Sequence, residues 1–368
     1  MTATAPIAAP TAWGESPGEA VIRATAEDFR VTEIPGFDLS GDGEHVFLCL
    51  EKRYLNTAEL AERLAALSSA PLRDIGYSGL KDRNALTSQW FSVGMAGRSE
   101  PDWSSLEAQG DVRLLALGRH QRKLRRGTHS GNRFQLRLRD VTAPRDALIA
   151  RLQLLHNRGA PNYFGPQRFG RAGATLLQAE RWARRPTRVS RARKSLYLSA
   201  LRASLFNRLL AVRVRDGSWN RLCAGDQCML AGSRSFFTPD LQADDLQARL
   251  AAGDIHPGLP LWGRAGRSAE PLPEHFYSQL GDLAPVGAFL EGAGLELAWR
   301  PTRLLPDDFS WQFCDDGALQ LDFTLGAGSY ATALLAELVR YREGDANTGA
   351  DGHRDRGSIK SDRHREQG

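Results

Sequence analysis

The stretch "RFQLRLR", residues 133–139, constrains the fold more than any other part of this chain. Phe134, Leu136 and Leu138 alternate with Arg133, Gln135, Arg137 and Arg139. A period of two marks a strand that buries one face and displays guanidinium groups on the other. The stretch closes a longer basic run, "RHQRKLRRGTHSGNRFQLRLR", residues 119–139, which contains no acidic residue. Like charges at that density repel unless a polyanion compensates them. The run as a whole, Arg119, Arg122, Lys123, Arg125, Arg126, Arg133, Arg137 and Arg139, is therefore expected to bind phosphate, with Arg122, Lys123, Arg125 and Arg126 as the expected RNA contacts. The alternative is a solvated strand face.

The chain around this strand reads as α+β with an antiparallel bias. "VIRAT" and "DFRVTEI" are expected to pair as strands, and "HVFLCLEKR", "DIGYS", "QWFSV" and "DVRLLALG" follow with short turns between them. "NTAELAERLAAL" is a helix with Leu60, Leu64 and Leu67 on one face, Asn56 as N-cap and Glu59 as its capping-box partner. Pro144 starts a second helix and Gly159 stops it. Residues 171–215 read as helical and arginine-rich. Residues 220–300 mix short strands, turns and a helix, and "LQLDFTLGAGSYATALLAELVRY" rejoins the first part as strand, turn and helix.

Composition excludes several function classes. With 368 residues, 42% hydrophobic and 25% charged, the chain is ordinary for a folded protein of two domains. No apolar run approaches the ~18 residues of a membrane span, and the N-terminus lacks the pattern of a signal peptide. The cytoplasm is therefore the expected compartment, and a monomer the expected state. Four cysteines in a chain this size imply neither a disulfide framework nor a zinc site, and the eight histidines form no HxxxH or HExxH pattern. Only five of the 48 basic residues are Lys. That bias suits nucleic acid, although GC-rich coding produces it too. "ERWARRPTRVSRARKS" is a second basic cluster, in which Trp182 either stacks on a base or packs on its helix. Tyr163, Phe164, Phe169 and Arg168 in "APNYFGPQRFGRAG" allow a base contact or a domain hinge equally.

Two motifs admit more than one reading. "GAGSYA", residues 326–331, matches a dinucleotide fingerprint, but the polar sequence after it offers no second strand, so a nicotinamide or flavin site is rejected. In "YSGLKDRNALTSQWFSV", Asp82 is either a turn residue favoured by side-chain bonds to backbone N–H groups or a reactive carboxylate. Gly79 allows close backbone approach and Lys81 could pair with the carboxylate or with phosphate.

"EDFRVTEIPGF…GEH", "LNT", "GLKDRNALTSQW", "GNRF", "PNYFGPQRFG" and "GAGSYAT" together resemble the TruD family of tRNA pseudouridine synthases, in the family's order from about residue 20 to 342. The resemblance implies a pseudouridine synthase-type antiparallel-biased mixed sheet with flanking helices and an inserted α/β TruD-specific domain. It implies a division into a disordered lead-in at 1–17, catalytic parts at 18–159 and 306–342, an insert at 160–305 and a polar tail at 343–368. It makes Asp82 the nucleophile and implies a uridine site built from Phe29, Lys81, Asn132, Phe134 and Tyr330, with Tyr330 standing where Phe is common. Phe29 and Phe134 would sandwich the base. Arg168 joins the expected phosphate contacts. The implied reaction converts uridine, at position 13 in the D arm of tRNA, with no cofactor and no metal. Asp82 could attack C6, attack C1′ or take the C2′ proton. A non-catalytic RNA-binding protein and a two-carboxylate glycosidase are the rival readings.

Overall fold

The computed structural model describes residues 9–266 and 272–344. Its centre is an eight-stranded mixed sheet. The order is Asp307–Phe313, Leu319–Gly326, Gly131–Leu138, Phe29–Ile34, Leu86–Gly94, His45–Arg53 and Val112–His120, with the short strand Ile75–Tyr77 also on Leu86–Gly94. Only the pairing of Phe29–Ile34 with Leu86–Gly94 is parallel. The α+β, antiparallel-biased expectation therefore describes the sheet, and both ends of the chain contribute to it.

The period-two segment lies in strand Gly131–Leu138, and Phe134, Leu136 and Leu138 are buried as the alternation requires. The opposite face corrects the electrostatic expectation. Arg133 makes a bidentate pair with Asp322 on the adjacent strand, with Nε and Nη2 donating at 2.9 and 2.8 Å. Arg139 does the same with Asp28 at 2.8 and 2.7 Å. Arg137 pairs with Asp316 and Arg119 with Glu100. Half of the run is thus compensated by carboxylates from other elements. No polyanion is needed there.

Other local expectations change as well. "VIRAT" and "DFRVTEI" do not pair with each other, because Glu19–Ile22 lies parallel to Arg340–Glu343 while Phe29–Ile34 enters the main sheet. Helix Thr57–Ser68 buries Leu60 and Leu64 on the expected face, but Asn56 makes no side-chain cap bond. Glu59 reaches along the helix instead, to Arg63 at 3.6 Å. Strand Arg340–Glu343 also removes the reason given against a dinucleotide fold at "GAGSYA". A strand does follow helix Ala331–Leu338, yet it pairs with Glu19–Ile22 outside the main sheet, so no doubly wound unit forms.

The end of the lead-in is held by Ala12 and Trp13. Ala12 and Trp13 N–H groups donate to the Glu337 carboxylate at 2.8–3.2 Å, and Trp13 Nε1 donates to Gly159 O at 3.0 Å. Residues 1–8 and most of the expected tail, 345–368, lie outside the described residues.

The middle of the chain forms an antiparallel four-stranded sheet, ordered Phe236–Phe237, Gln227–Leu230, Ile255–Leu261 and Ala298–Pro301. Helix Arg191–Arg215 packs on Ile255–Leu261, and its Leu201, Leu205, Phe206 and Leu209 are fully buried. One continuous cluster of buried side chains joins this helix to Phe29, Leu136 and Phe323 of the main sheet.

Candidate active site

Asp82 lies in the loop between strands Ile75–Tyr77 and Leu86–Gly94, with its side chain 38% exposed. Its Oδ2 accepts from Arg23 Nη2 at 2.7 Å; among the described residues no bond engages Oδ1. Arg23 is buried, its Nη1 meets Glu343 at 2.6 Å, and its guanidinium carbon sits 4.0 Å above the Phe29 ring. Arg23 also has φ of 55°, a left-handed conformation that costs a non-glycine residue about 1–3 kcal/mol. The surrounding pairs hold it there. Sequence reasoning missed Arg23; its only signal was a lone cation in the apolar run "EAVIRATA".

Lys81 does not serve Asp82. Its ammonium turns to Glu33, 3.1 Å from Oε2, and donates to Asn132 Oδ1 at 2.6 Å. The Glu33 side chain is fully buried, and its Oε1 accepts the Trp90 N–H at 3.1 Å. Two cations therefore divide the work, with Arg23 on Asp82 and Lys81 on Glu33. His129 stands beside this group, where burial first and Lys81 second push its pKa below the usual value. Gly79 is not required sterically, since a Cβ there would touch only His129 Cε1 at 3.5 Å.

Phe29 and Phe134 are buried and meet edge to face, 6.4 Å apart at 80°. Phe134 stacks further on Phe323 at 5.4 Å. Rings packed this way leave no parallel gap, so the expected sandwich of a base between them is absent; Phe29 instead supports Arg23. Tyr330 immediately precedes helix Ala331–Leu338, and its hydroxyl accepts from Arg168 Nε at 3.0 Å and Nη2 at 2.7 Å. That bond answers the need a tyrosine hydroxyl brings to a partly buried site. Phe164 meets Tyr330 at 5.9 Å, and Arg300 lies 4.0 Å over Phe164 while donating to Gly328 O at 3.0 Å. Burial pushes Arg300 down to about 10. Asn132 pairs with Leu325 and Gly131 with Gly326, so Asn132 and the turn leading to Tyr330 share one end of the sheet.

The basic run splits in two. Arg122, Lys123, Arg125 and Arg126 form no ion pair among the described residues, unlike Arg119, Arg133, Arg137 and Arg139. The unpaired part packs on the turn before Asp82. Arg126 lies 4.3 Å over the Tyr77 ring and donates to its hydroxyl at 2.8 Å, and Gly127 N donates to Ser78 O at 2.8 Å. A cavity of about 460 Å³ is lined by Arg73, Tyr77, Lys123, Arg125 and Arg126. Asp82 does not line it. In the second cluster Trp182 is buried against Tyr197 and Phe289, so it is a packing residue rather than an exposed platform. Arg168 donates to Tyr330 and Ser199. Among the described residues no three His, Cys, Asp or Glu side chains converge as metal ligands, and all four cysteines are free thiols.

The family described as tRNA pseudouridine synthase D (TruD) matches residues 11–181 and 174–338. The chain belongs to the TruD family. It is 45% identical over 335 residues to the tRNA pseudouridine synthase D of Methylococcus capsulatus, covering 90% of this chain and 94% of that one. With the Azotobacter vinelandii enzyme of the same name it shares 46% over 332 residues, again 90% and 94%. A crystal structure from Methanosarcina mazei assigned to TruD superposes with a TM-score of 0.63 at 21% identity, covering 88% of this chain and 94% of that one. That likeness supports the TruD fold. TruD membership, rather than geometry, also decides against the glycosidase reading, because Glu343 does place a second carboxylate on the guanidinium that holds Asp82.

Proposed function

We propose that this chain isomerises uridine to pseudouridine at position 13 in the D arm of tRNA, with Asp82 as nucleophile and without a cofactor. The observation that carries the reading is the Asp82 carboxylate itself. Among the described residues, one oxygen is fixed by a buried guanidinium and the other is unengaged, in a loop bordered by unpaired cations. The reaction breaks N1–C1′, turns the base and forms C5–C1′; the C5 proton leaves to solvent and N1 takes up a proton in its place. Substrate and product have the same composition, so no redox partner enters. What the protein must supply is a fixed carboxylate and an enclosure for the detached base. It must also supply phosphate contacts that offset the few kcal/mol of base extrusion.

In this reading Asp82 Oδ1 reaches the nucleotide, Asn132 offers its amide N–H groups to the uracil edge, and Tyr330 is the aromatic wall. Lys81 orients Asn132. Phe29 and Phe134 act behind Arg23. Arg122, Lys123, Arg125 and Arg126 hold the backbone, and the protein works in the cytoplasm as a monomer. We place the inserted unit at about 160–305, between catalytic parts at 18–159 and 306–342.

Two experiments test this. Purified protein with an unmodified tRNA transcript carrying tritium at uridine C5 releases tritium to water, and EDTA leaves the rate unchanged. An absence of release, or its abolition by EDTA, contradicts the proposal. Replacing Arg122, Lys123, Arg125 and Arg126 by Ser weakens tRNA binding and reduces the salt slope of log K by roughly 0.7–0.9 for each phosphate left without its cation. Arg133→Ser leaves that slope unchanged, because its charge is already spent on Asp322. An equal fall in slope for both sets would contradict the partition.

A further inference from the structure

We infer that Lys52, Thr57 and Gln89 are positioning residues for this reaction, forming a buried cradle that holds the main chain of residues 79–82 and so sets where the Asp82 carboxylate stands. The inference rests on the proposed role of Asp82.

The three side chains come from strand His45–Arg53, helix Thr57–Ser68 and strand Leu86–Gly94, and none is more than 1% exposed. Their bonds converge on one short stretch of backbone. Gln89 Nε2 donates to Gly79 O at 3.1 Å, and Thr57 Oγ accepts the Lys81 N–H at 2.9 Å. Lys52 Nζ donates to Asp82 O at 2.9 Å and to Leu55 O at 2.6 Å. The Thr57 hydroxyl donates to Gln89 Oε1 at 2.8 Å, which locks both groups in a single hydrogen-bond arrangement. Buried polar side chains are costly unless paired. Here three elements commit such groups to an irregular loop rather than to their own ladders. A loop held by side chains on rigid elements is preorganised, and a misplacement of ~1 Å at a reacting group costs on the order of 10²-fold in rate.

Lys52 adds a pH dependence. Burial pushes its pKa down to about 8, with Asp82 drawing it up and Lys81 pressing it down. Its sheet neighbours, Thr87 on one side and Val112 on the other, carry no charge. Below a pH of about 8 the ammonium donates to both carbonyls. As pH rises through that value the proton is lost, the hold on Asp82 O slackens, and turnover falls.

Thr57→Val, Gln89→Leu and Lys52→Met should lower kcat by roughly 10- to 100-fold while KM for tRNA stays within about twofold. Thr57→Ser should recover most of the rate, and Thr57→Val with Gln89→Leu together should be no worse than the more damaging single change. Lys52→Met should also flatten the fall in turnover above a pH of about 8. Folded Thr57→Val turning over at the parental rate would overturn the cradle, as would a rate loss entirely in KM. If Lys52→Met does not fold, the Thr57→Val and Thr57→Ser pair decides. The reading of Asp82 fails separately, by turnover in Asp82→Asn, whatever the cradle variants do.

Discussion

Asp82→Asn removes turnover, with a loss on the order of 10⁴-fold or more, while tRNA affinity stays within a few-fold of the parent. Asn keeps the size of the side chain and one oxygen that can accept from Arg23, so the loop has no steric reason to move. It lacks the anionic oxygen on which covalent or proton-transfer chemistry at the sugar or base depends. In the proposed reading binding rests elsewhere, on the unpaired cations at 122–126, so affinity and chemistry should separate. Glu343→Gln is the informative companion. Glu343 is 57% exposed and touches Arg23 rather than Asp82, so its neutral form should retain turnover. A glycosidase would need both carboxylates and would release free uracil. Loss of activity in Glu343→Gln with uracil in solution would revive that rival.

The second large effect is on stability. Glu33→Met leaves the Lys81 ammonium buried opposite an apolar side chain, and breaking a buried pair from one side costs about 3–5 kcal/mol. Lys81→Met should cost a comparable amount, since Glu33 is the more deeply buried partner. The two changes together should cost much less than their sum, because neither charge is then stranded. Urea unfolding of the four proteins measures this directly. Simple additivity would mean that Lys81 and Glu33 do not depend on each other. Turnover in the double variant, relative to parent, then reports how far Asn132 needs Lys81 to orient it.

What the sequence revealed and what it hid follow from range. Alternation in "RFQLRLR" and the 3–4 spacing of Leu60 and Leu64 are local, and both buried faces were legible from them. The strand-turn-helix near 319–338 was legible too, together with its return to the first part of the chain. The partners of the arginines were not. Asp322, Asp316 and Asp28 stand 189, 179 and 111 positions from the arginines they neutralise, so a count of charge along the chain overstated the phosphate-binding surface. The same blindness hid the site's electrostatics. Lys81 is adjacent to Asp82 in sequence but faces Glu33, while Arg23, 59 positions away, makes the ion pair. Phe29 and Phe134 do lie close together, but the angle between their rings depends on strand register, which no motif encodes. Tyr330 and Arg168 stood out separately; only the fold brings hydroxyl and guanidinium together.

The most direct test is to map pseudouridine, nucleotide by nucleotide, in an unmodified tRNA transcript incubated with the purified chain or with its Asp82→Asn variant. The account predicts conversion at position 13 with the parent and an intact uridine there with the variant. A uridine 13 left untouched by the parent, or converted equally by both proteins, would contradict it.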